Sequence, residues 1–147
     1  MKLSTRTRYG TRALLELALQ EGKGPVFLKD IAKKQQISLA YLEHLITPLI
    51  AGGIIRSIKG PKGGVTLARK PRDIKLSEIT RLLEGSLAPV ECIEHPDICD
   101  RADICVTREV WGEMKAAMDG VLESTTLLDL ADRQKKKGRS RKSMYYI

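Results

Sequence analysis

The sequence of 147 residues lacks the features that mark membrane and exported proteins. No apolar run approaches the roughly 20 residues that a membrane-spanning helix needs. The N-terminus is basic, but Glu16 interrupts its apolar stretch and no small-residue cleavage site follows, so we expect no signal peptide. These absences predict a protein of the cytoplasm that makes no contact with a membrane.

Cysteine and histidine are scarce, with three and two residues respectively. An odd number of cysteines in a reducing compartment argues against a disulfide framework and favours metal or thiol chemistry. The histidines are His44 and His95, and the sequence holds no nucleophile–base pair, phosphate-binding glycine loop or zinc hydrolase motif. We therefore expect a protein that is not an enzyme.

Acidic residues are unevenly distributed along the chain. Residues 1–80 hold 15 basic and 6 acidic side chains, residues 81–132 hold 4 and 12, and residues 133–147 hold 7 and none. A cationic first part is typical of a protein that binds an anionic polymer, because the polymer releases counterions when Lys and Arg bind it. A basic surface that is merely solvated is the alternative. We expect residues 133–147 to form a basic, disordered tail.

Helical periodicity predicts two helices near the start of the chain. Apolar residues recur at a helical spacing over residues 4–20, and the glycines and proline of residues 22–25 end that helix. A short second helix runs from Leu28 to Gln35, with its apolar residues on one face.

A third helix follows Ser38, whose hydroxyl can accept a hydrogen bond from an amide of the first turn. Its apolar residues form a single core stripe, so the opposite face is free to meet a partner. The residues of this stripe are Leu42, Leu45, Ile46, Leu49 and Ile50. We expect Pro48 to bend this helix or end it early, and Gly52-Gly53 to close it.

A basic hairpin comes next. Ile54 to Ile58 and Val65 to Ala68 have the composition of strands, and the glycine-rich turn between them carries Lys59 and Lys62. Two helices joined by about three residues and followed by a hairpin predict a winged helix–turn–helix. The expected fold is mainly α with a small β-hairpin wing.

The predicted helix–turn–helix suits double-stranded DNA, because the major groove of about 12 Å admits one helix. We expect the residues that open the third helix to approach the base edges: Ser38, Leu39, Ala40, Tyr41, Glu43 and His44. Glu43 can accept from cytosine N4, Ala40 can lie against a thymine methyl group, and the capped helix end presents amides to phosphate. Lys59 and Lys62 are expected to enter the narrower groove, since glycine allows close backbone approach. A cap and a hairpin with no such role are the alternative.

The second part of the chain predicts a loop and a long helix. After a short helix from Leu76 to Glu84, residues 85–105 read as a loop and residues 106–132 as a dimerisation region that ends in a short helix. The long helix has one apolar stripe: Val110, Trp111, Met114, Ala117, Met118, Val121 and Leu122. We expect this stripe to pair with a second copy, which would place two reading helices about one DNA turn apart. The alternative is that the stripe packs against its own chain.

In this organisation residues 1–84 form the DNA-binding domain.

The predicted loop holds all three cysteines, Cys92, Cys99 and Cys105, in a C-x6-C-x5-C spacing. Three thiolates can converge on one soft centre, and thiolates select iron–sulfur clusters or zinc. Structural zinc sites usually have closer pairs, so these wider gaps favour a cluster. The three cysteines are therefore the candidate metal ligands, and His95, an acidic side chain, another group or solvent would fill the open position. Three incidental thiols are the alternative.

Several short motifs together resemble the IscR/NsrR/RirA family of winged-helix transcription regulators. The motifs are Met1-Lys2-Leu3-Ser4, Arg8-Tyr9, Asp30-Ile31-Ala32, Ile37-Ser38, Tyr41-Leu42-Glu43, Gly60-Pro61, Gly63-Gly64, the three cysteines and the long helix. The resemblance implies a homodimeric regulator, expected to be a repressor, that binds palindromic DNA and reports iron, redox or nitric oxide state through an iron–sulfur cluster. It also implies DNA-contact roles for Tyr41, Glu43 and Lys59, and cluster ligation by the cysteines.

The sequence departs from the IscR pattern at Arg108, where IscR-type members have a histidine three residues after the last cysteine. The first cysteine gap is also one residue longer than in IscR, and the pattern is closer to the three-cysteine NsrR and RirA arrangements. The cluster type, 2Fe–2S or 4Fe–4S, therefore stays open. A cluster-free regulator, switched by thiol oxidation or by docking to a partner protein, is the alternative function.

Overall fold

The computed structural model describes residues 2–145. Six α-helices and a two-stranded hairpin follow one another along the chain. They are α1 (Thr5–Leu19), α2 (Leu28–Gln35), α3 (Leu39–Ala51), β1 (Ile55–Ile58), β2 (Gly64–Leu67), α4 (Leu76–Leu83), α5 (Val106–Ser124) and α6 (Leu127–Tyr145). Single turns of 3-10 helix lie at Pro71–Asp73 and, in the segment between α4 and α5, at Glu91–Ile93, Pro96–Ile98 and Ala102–Ile104.

Helices α1 to α4, the hairpin and the start of α6 share one apolar core. The chain enters α1 through Ser4, whose hydroxyl accepts from the amide of Thr7 at 3.3 Å, and apolar residues three and four apart then face inward. The completely buried large side chains of this core are Leu14, Ile31, Leu42, Leu45, Leu49, Ile54, Ile55, Ile74, Ile79 and Leu127. All but Leu127 belong to the first 84 residues, so the predicted DNA-binding region carries most of the core.

Helix α3 continues through Pro48. The helix runs to Ala51 with Pro48 inside it, which excludes the early end that was one of the two expected outcomes. Leu49 is completely buried one residue after the proline, and this burial holds the last turn in place despite the missing amide. Gly52 follows as the C-cap, as the sequence predicted.

The hairpin forms the predicted wing. Strand β1 pairs with β2 in an antiparallel register that places Ile55 opposite Leu67 and Ile58 opposite Gly64. A further bridge holds the wing to the loop between α1 and α2, because the amides and carbonyls of Val26 and Val65 exchange hydrogen bonds of 2.9 and 2.8 Å. The wing is therefore tied to the domain along its β2 strand.

Helix α6 corrects the prediction for the C-terminal tail. The short helix expected at the end of residues 106–132 continues to Tyr145, so the structure places residues 133–145 in a helix where we expected disorder. Leu127 and Ala131 are buried at its start, and adding residues to a helix that is already anchored costs far less than nucleating a new one. The segment that follows Ala131 contains no proline to stop it. Tyr146 and Ile147 lie outside the described residues.

The structure confirms the predicted fold class, a mainly helical chain with a small antiparallel wing. Within residues 2–145, none of the helices combines the length and the apolar character required to cross a bilayer. The boundaries predicted between the domains stay predictions.

Candidate nucleic-acid interface and cysteine loop

A tight turn sets the angle between α2 and α3. Gln36 ends α2 in the left-handed conformation, with φ of 57°, and the amide of Ile37 then donates to the carbonyl of Ala32 at 3.0 Å. Among the described residues, Gln36 is the one non-glycine with positive φ. Three residues therefore separate the helices, as the sequence predicted for a helix–turn–helix.

The first turn of α3 is capped and exposed. The hydroxyl of Ser38 accepts from the amide of Tyr41 at 3.1 Å, so the helix begins where the sequence predicted. The predicted reading residues Ser38, Leu39, Ala40, Glu43 and His44 are all exposed, and Tyr41 is half-buried. Leu39 keeps 43% of its surface exposed even though its side chain is apolar.

Tyr41 is held in place by a residue of α1 that the sequence analysis did not assign to the site. The rings of Tyr9 and Tyr41 meet edge to face, with centroids 6.3 Å apart and planes 84° apart. The guanidinium of Arg12 lies 5.2 Å from the centre of the Tyr9 ring. Tyr9 and Arg12 are therefore candidate members of the interface. Their spacing of three residues puts them on one face of α1, but only the folded chain brings that face to α3.

The tip of the wing carries the two predicted lysines. Lys59 and Lys62 are both exposed, on a turn that the amide of Gly63 closes by donating to the carbonyl of Gly60 at 2.9 Å. A Cβ atom at Gly63 would lie 2.1 Å from the carbonyl oxygen of Ile58. Glycine is required there, because a larger residue would push the turn open and move both lysines.

The N-terminus of α1 is tied to the end of α4 by one carboxylate. Glu84 accepts from the hydroxyl of Ser4 at 2.7 Å, from the amide of Ser4 at 3.1 Å and from the hydroxyl of Thr7. The hydrogen bonds from Thr7 and Ser4 lower the pKa of Glu84, since they stabilise the charged form. This link holds the start of α1 against the end of α4, where the cysteine-bearing segment begins.

The three cysteines lie on successive single turns and at a helix start. Cys92 is half-buried in the first 3-10 turn after α4, Cys99 is exposed after the second, and Cys105 is half-buried directly before α5. The guanidinium of Arg108 donates to the carbonyl of Cys92 at 2.9 Å, which holds the start of this segment against the first turn of α5.

The Cys105 sulfur lies 3.2 Å from the Thr107 hydroxyl. This hydrogen bond, followed by one from the backbone of Arg108, lowers the pKa of the Cys105 thiol because both favour the thiolate. A free thiolate at the start of a helix is a reasonable ligand for a soft metal and also a reasonable nucleophile toward oxidants.

The predicted convergence of the cysteines is not present in this structure. In the part of the chain from residue 2 to residue 145, no group of three or more His, Cys, Asp and Glu side chains is placed to hold a metal ion. The donor set suits an iron–sulfur cluster, because thiolates are its usual ligands, but the three thiols are not gathered into one site in this structure. The physical reason is that each short turn is closed by its own backbone hydrogen bonds, such as His95 to the Glu91 carbonyl at 3.0 Å, and these bonds do not require the sulfur atoms to meet.

Helix α5 presents an uncovered apolar face. None of its 19 residues is buried. Val110 and Val121 keep 48% and 64% of their surfaces exposed, while Met118 and Leu122 are half-buried. Leu122 and Met118 line a groove of about 500 Å³ against Leu3 and the segment that follows α4. The predicted stripe is therefore divided: one edge packs on its own chain, and the other faces solvent.

Comparison with known proteins gives the same identification throughout. The Rrf2 family, described as an iron-dependent transcriptional regulator, matches residues 3–133. The protein named rrf2 of Nitratidesulfovibrio vulgaris is 48% identical over 130 residues, covering 88% of this chain and 87% of that protein. The HTH-type transcriptional regulator CymR of Bacillus subtilis is 40% identical over the full length of both chains.

Two solved structures have the same fold. The structure of B. subtilis CymR, titled the global cysteine regulator, superposes with a TM-score of 0.78 at 41% identity and covers 90% of this chain and 98% of that chain. The structure titled T. potens IscR also has a TM-score of 0.78, at 40% identity, and covers 93% of this chain and 90% of that chain.

Proposed function

We propose that this chain, which belongs to the Rrf2 family of transcriptional regulators, binds double-stranded DNA through the first turn of α3 and the tip of the wing. The observation that carries the proposal is the capped, solvent-exposed start of α3, backed by a core that holds the helix from behind. In this arrangement Ser38, Leu39, Ala40, Tyr41, Glu43 and His44 meet base edges and adjoining phosphates. Lys59 and Lys62 meet the backbone or the minor groove.

Tyr9 and Arg12 extend this set. Tyr9 supports Tyr41 through the edge-to-face ring contact, and Arg12 adds a cation beside the same ring. A hydrogen bond from the Tyr41 hydroxyl to DNA would then be made by a ring that is already oriented, so little rotamer entropy is lost on binding. Glu43 contributes to selection of sequence, because a carboxylate near DNA is repelled by phosphate and is accepted where it meets a donor such as cytosine N4.

The proposal is tested by titration of a labelled duplex recovered by in vitro selection from random sequences. Lys59→Gln with Lys62→Gln removes two phosphate contacts per protomer, and we expect weaker binding to every sequence and a shallower salt dependence, by about 1.8 in the slope of log K on log salt. Glu43→Gln should instead change the selected sequence. The pair Lys23→Gln and Lys33→Gln, also exposed, is the matched charge control. Equal losses from both lysine pairs would refute the assignment to the wing.

The exposed face of α5 supports a homodimer as the DNA-binding form. Val110, Trp111 and Val121 leave apolar surface in water along a helix with no buried residue, and a second copy supplies a matching surface by two-fold symmetry. Two copies of α3 would then read a palindromic operator, one half-site each. We also place the protein in the cytoplasm, where DNA-binding regulators meet their operators.

For the cysteine-bearing segment we propose a sensing role, with an iron–sulfur cluster as its cofactor. Three thiols within 14 residues and the iron-dependent description of the family support this hypothesis. Protein purified without oxygen and reconstituted with iron and sulfide should contain both elements and absorb in the visible region. Cys92→Ser, Cys99→Ser and Cys105→Ser should each reduce the iron content, whereas Ser57→Ala on the wing should retain it. Colourless, iron-free wild-type protein after reconstitution would refute the cluster.

Thiol oxidation without a metal is the second candidate. It is favoured because the three cysteines are free and at least partly exposed, which leaves each thiol available to an oxidant. Mild peroxide treatment of metal-free protein should then change DNA affinity together with the count of reactive thiols, and a reductant should reverse both changes. An unchanged affinity after full oxidation would exclude this candidate. DNA binding itself would stand in either case.

A further inference from the structure

The second half of α6 is a strongly cationic helix that the proposed function leaves without a role. Residues 133–142, called here the cationic arm, contain seven Lys and Arg side chains, no acidic residue and no apolar side chain. Every position of the arm is exposed. A helix that is polar on all sides does not suit an apolar groove or insertion into a lipid surface, both of which need an apolar face.

The arm is rooted in the DNA-binding domain. Helix α6 packs on α1 and on the 3-10 turn Pro71–Asp73, and Leu127 and Ala131 are buried there. At its start the amide of Thr126 donates to the Asp129 carboxylate at 2.8 Å, while the amide of Asp129 donates to the Thr126 hydroxyl at 3.2 Å. This reciprocal cap determines where α6 begins and so directs the arm that follows.

Repulsion between the basic side chains of the arm destabilises its helix when no anionic partner is bound. Lys135 and Arg139 are like charges four residues apart, a spacing at which side chains repel one another along a helix, whereas Arg133 is attracted to Asp129, four residues before it. A polyanion removes this repulsion. Ten helical residues span about 15 Å, and duplex DNA presents one phosphate charge per about 1.7 Å, so the arm matches a short stretch of the duplex backbone.

We propose that the cationic arm is a second DNA-binding surface, one that contacts the phosphate backbone flanking the operator and reads no sequence. The inference rests on the proposed function, since it extends the DNA contact of α3 and the wing. Arg72, in the 3-10 turn on which α6 packs, and the preceding Lys70 are further exposed cations near the start of α6. Operator affinity therefore depends on the length of the flanking duplex.

The test compares two duplexes that carry the same selected operator, one with no flank and one with about 15 base pairs on each side. The variant Lys135→Gln, Lys136→Gln, Lys137→Gln and Arg139→Gln removes four charges and retains residues that favour helices. On the long duplex it should lower the slope of log K on log salt by about 3.6 per protomer, at about 0.9 for each phosphate contact. On the short duplex the slope should stay near that of the wild type. The Lys→Arg triple variant at residues 135–137 keeps the charge and should behave as wild type on both.

Four outcomes separate the possibilities. A shallower slope restricted to the flanked duplex supports the arm. Equal slopes for wild type and the Gln variant on the flanked duplex overturn it while the proposed function stands. Wild-type protein that binds neither duplex overturns the proposed function and the arm together. Intact DNA binding by the Gln variant, combined with lost binding to phosphatidylserine vesicles, assigns the arm to a membrane surface and also overturns the inference.

Discussion

Helices α1 to α4 bury their apolar side chains, whereas helix α5 leaves many of its apolar side chains partly exposed. In the first region the inward stripes of several helices meet in one core, and Leu14 and Leu42 are completely buried. In the second, 19 residues form one continuous helix without a single buried side chain. Helices α1 to α4, called here the reading domain because we propose that they read DNA, therefore bury most of their apolar residues within one chain, whereas α5 leaves an apolar edge in solvent. The following predictions test that contrast.

The largest effect is expected in the core. Leu14→Ala should lower the free energy of unfolding by about 3 kcal/mol, because it removes buried methyl groups and leaves a cavity. Val106→Ala, at a side chain of α5 that is 70% exposed, should change stability by less than ~0.5 kcal/mol. Urea denaturation at low protein concentration measures both. Equal losses of unfolding free energy in the two variants would contradict the difference in burial between the two regions.

The next effect concerns the uncovered face of α5. Val110→Glu together with Val121→Glu should weaken dimerisation at least ~100-fold, since two carboxylates would be buried between apolar surfaces. The far-ultraviolet spectrum of the monomer should be nearly unchanged. Sedimentation equilibrium gives the dissociation constant, with Glu109→Gln on the same helix as the control. A wild-type chain that is monomeric at every concentration would refute the paired helix.

A smaller effect is expected where the two regions join. Glu84→Gln should destabilise the fold by about 1–2 kcal/mol at neutral pH, because the charged acceptor of the Ser4 and Thr7 hydrogen bonds is lost. The native pKa of Glu84 is lowered, so the unfolded state takes up a proton first and the stabilisation is lost as pH falls through and below the ordinary glutamate range.

The wild type should therefore lose stability on acidification more steeply than Glu84→Gln, and the two curves should approach each other at low pH. Thermal unfolding between about pH 3 and pH 7 spans the ordinary pKa of glutamate and measures the difference. Exposed Glu21→Gln should keep the wild-type slope. Parallel curves for wild type and Glu84→Gln would show that this carboxylate does not link α1 to α4.

The smallest effect is a gain of stability within the reading domain. Gln36 adopts a left-handed backbone conformation. This conformation is unfavourable for a residue with a Cβ atom and nearly free of strain for glycine. Gln36→Gly should therefore stabilise the domain by about 0.5–1 kcal/mol, whereas Gln36→Ala should give no such gain. Chemical denaturation measures both, and DNA affinity should remain within twofold. A loss of stability in the glycine variant would contradict the strained turn.

Most of the reading domain could be predicted from the sequence because its signals are local. Ser38 caps α3, apolar residues three and four apart mark its buried face, and Gly52 ends it. The wing is likewise marked by glycines beside strand-like residues. These features act within a few residues of the chain, so they operate before any long-range contact forms.

The contacts that the sequence did not predict all join residues that are far apart in the chain or depend on how loops fold. Glu84 reaches Ser4 across 80 positions, and Tyr9 meets Tyr41 from a different helix, so no local pattern announces either contact. The cysteine spacing likewise shows that three thiols are near in sequence, but not whether the intervening turns gather the sulfur atoms into one site.

The order of the helices, the capped start of α3, the basic wing and the separation of cationic and acidic segments follow from the sequence alone, because periodicity, caps and charge are local properties. The folded chain was needed to show that one edge of α5 stays in solvent and that the cationic arm is helical. Both features depend on burial: the chain covers one edge of α5 and leaves the other exposed, whereas α6 is anchored by Leu127 and Ala131 in a core made almost entirely by the first 84 residues.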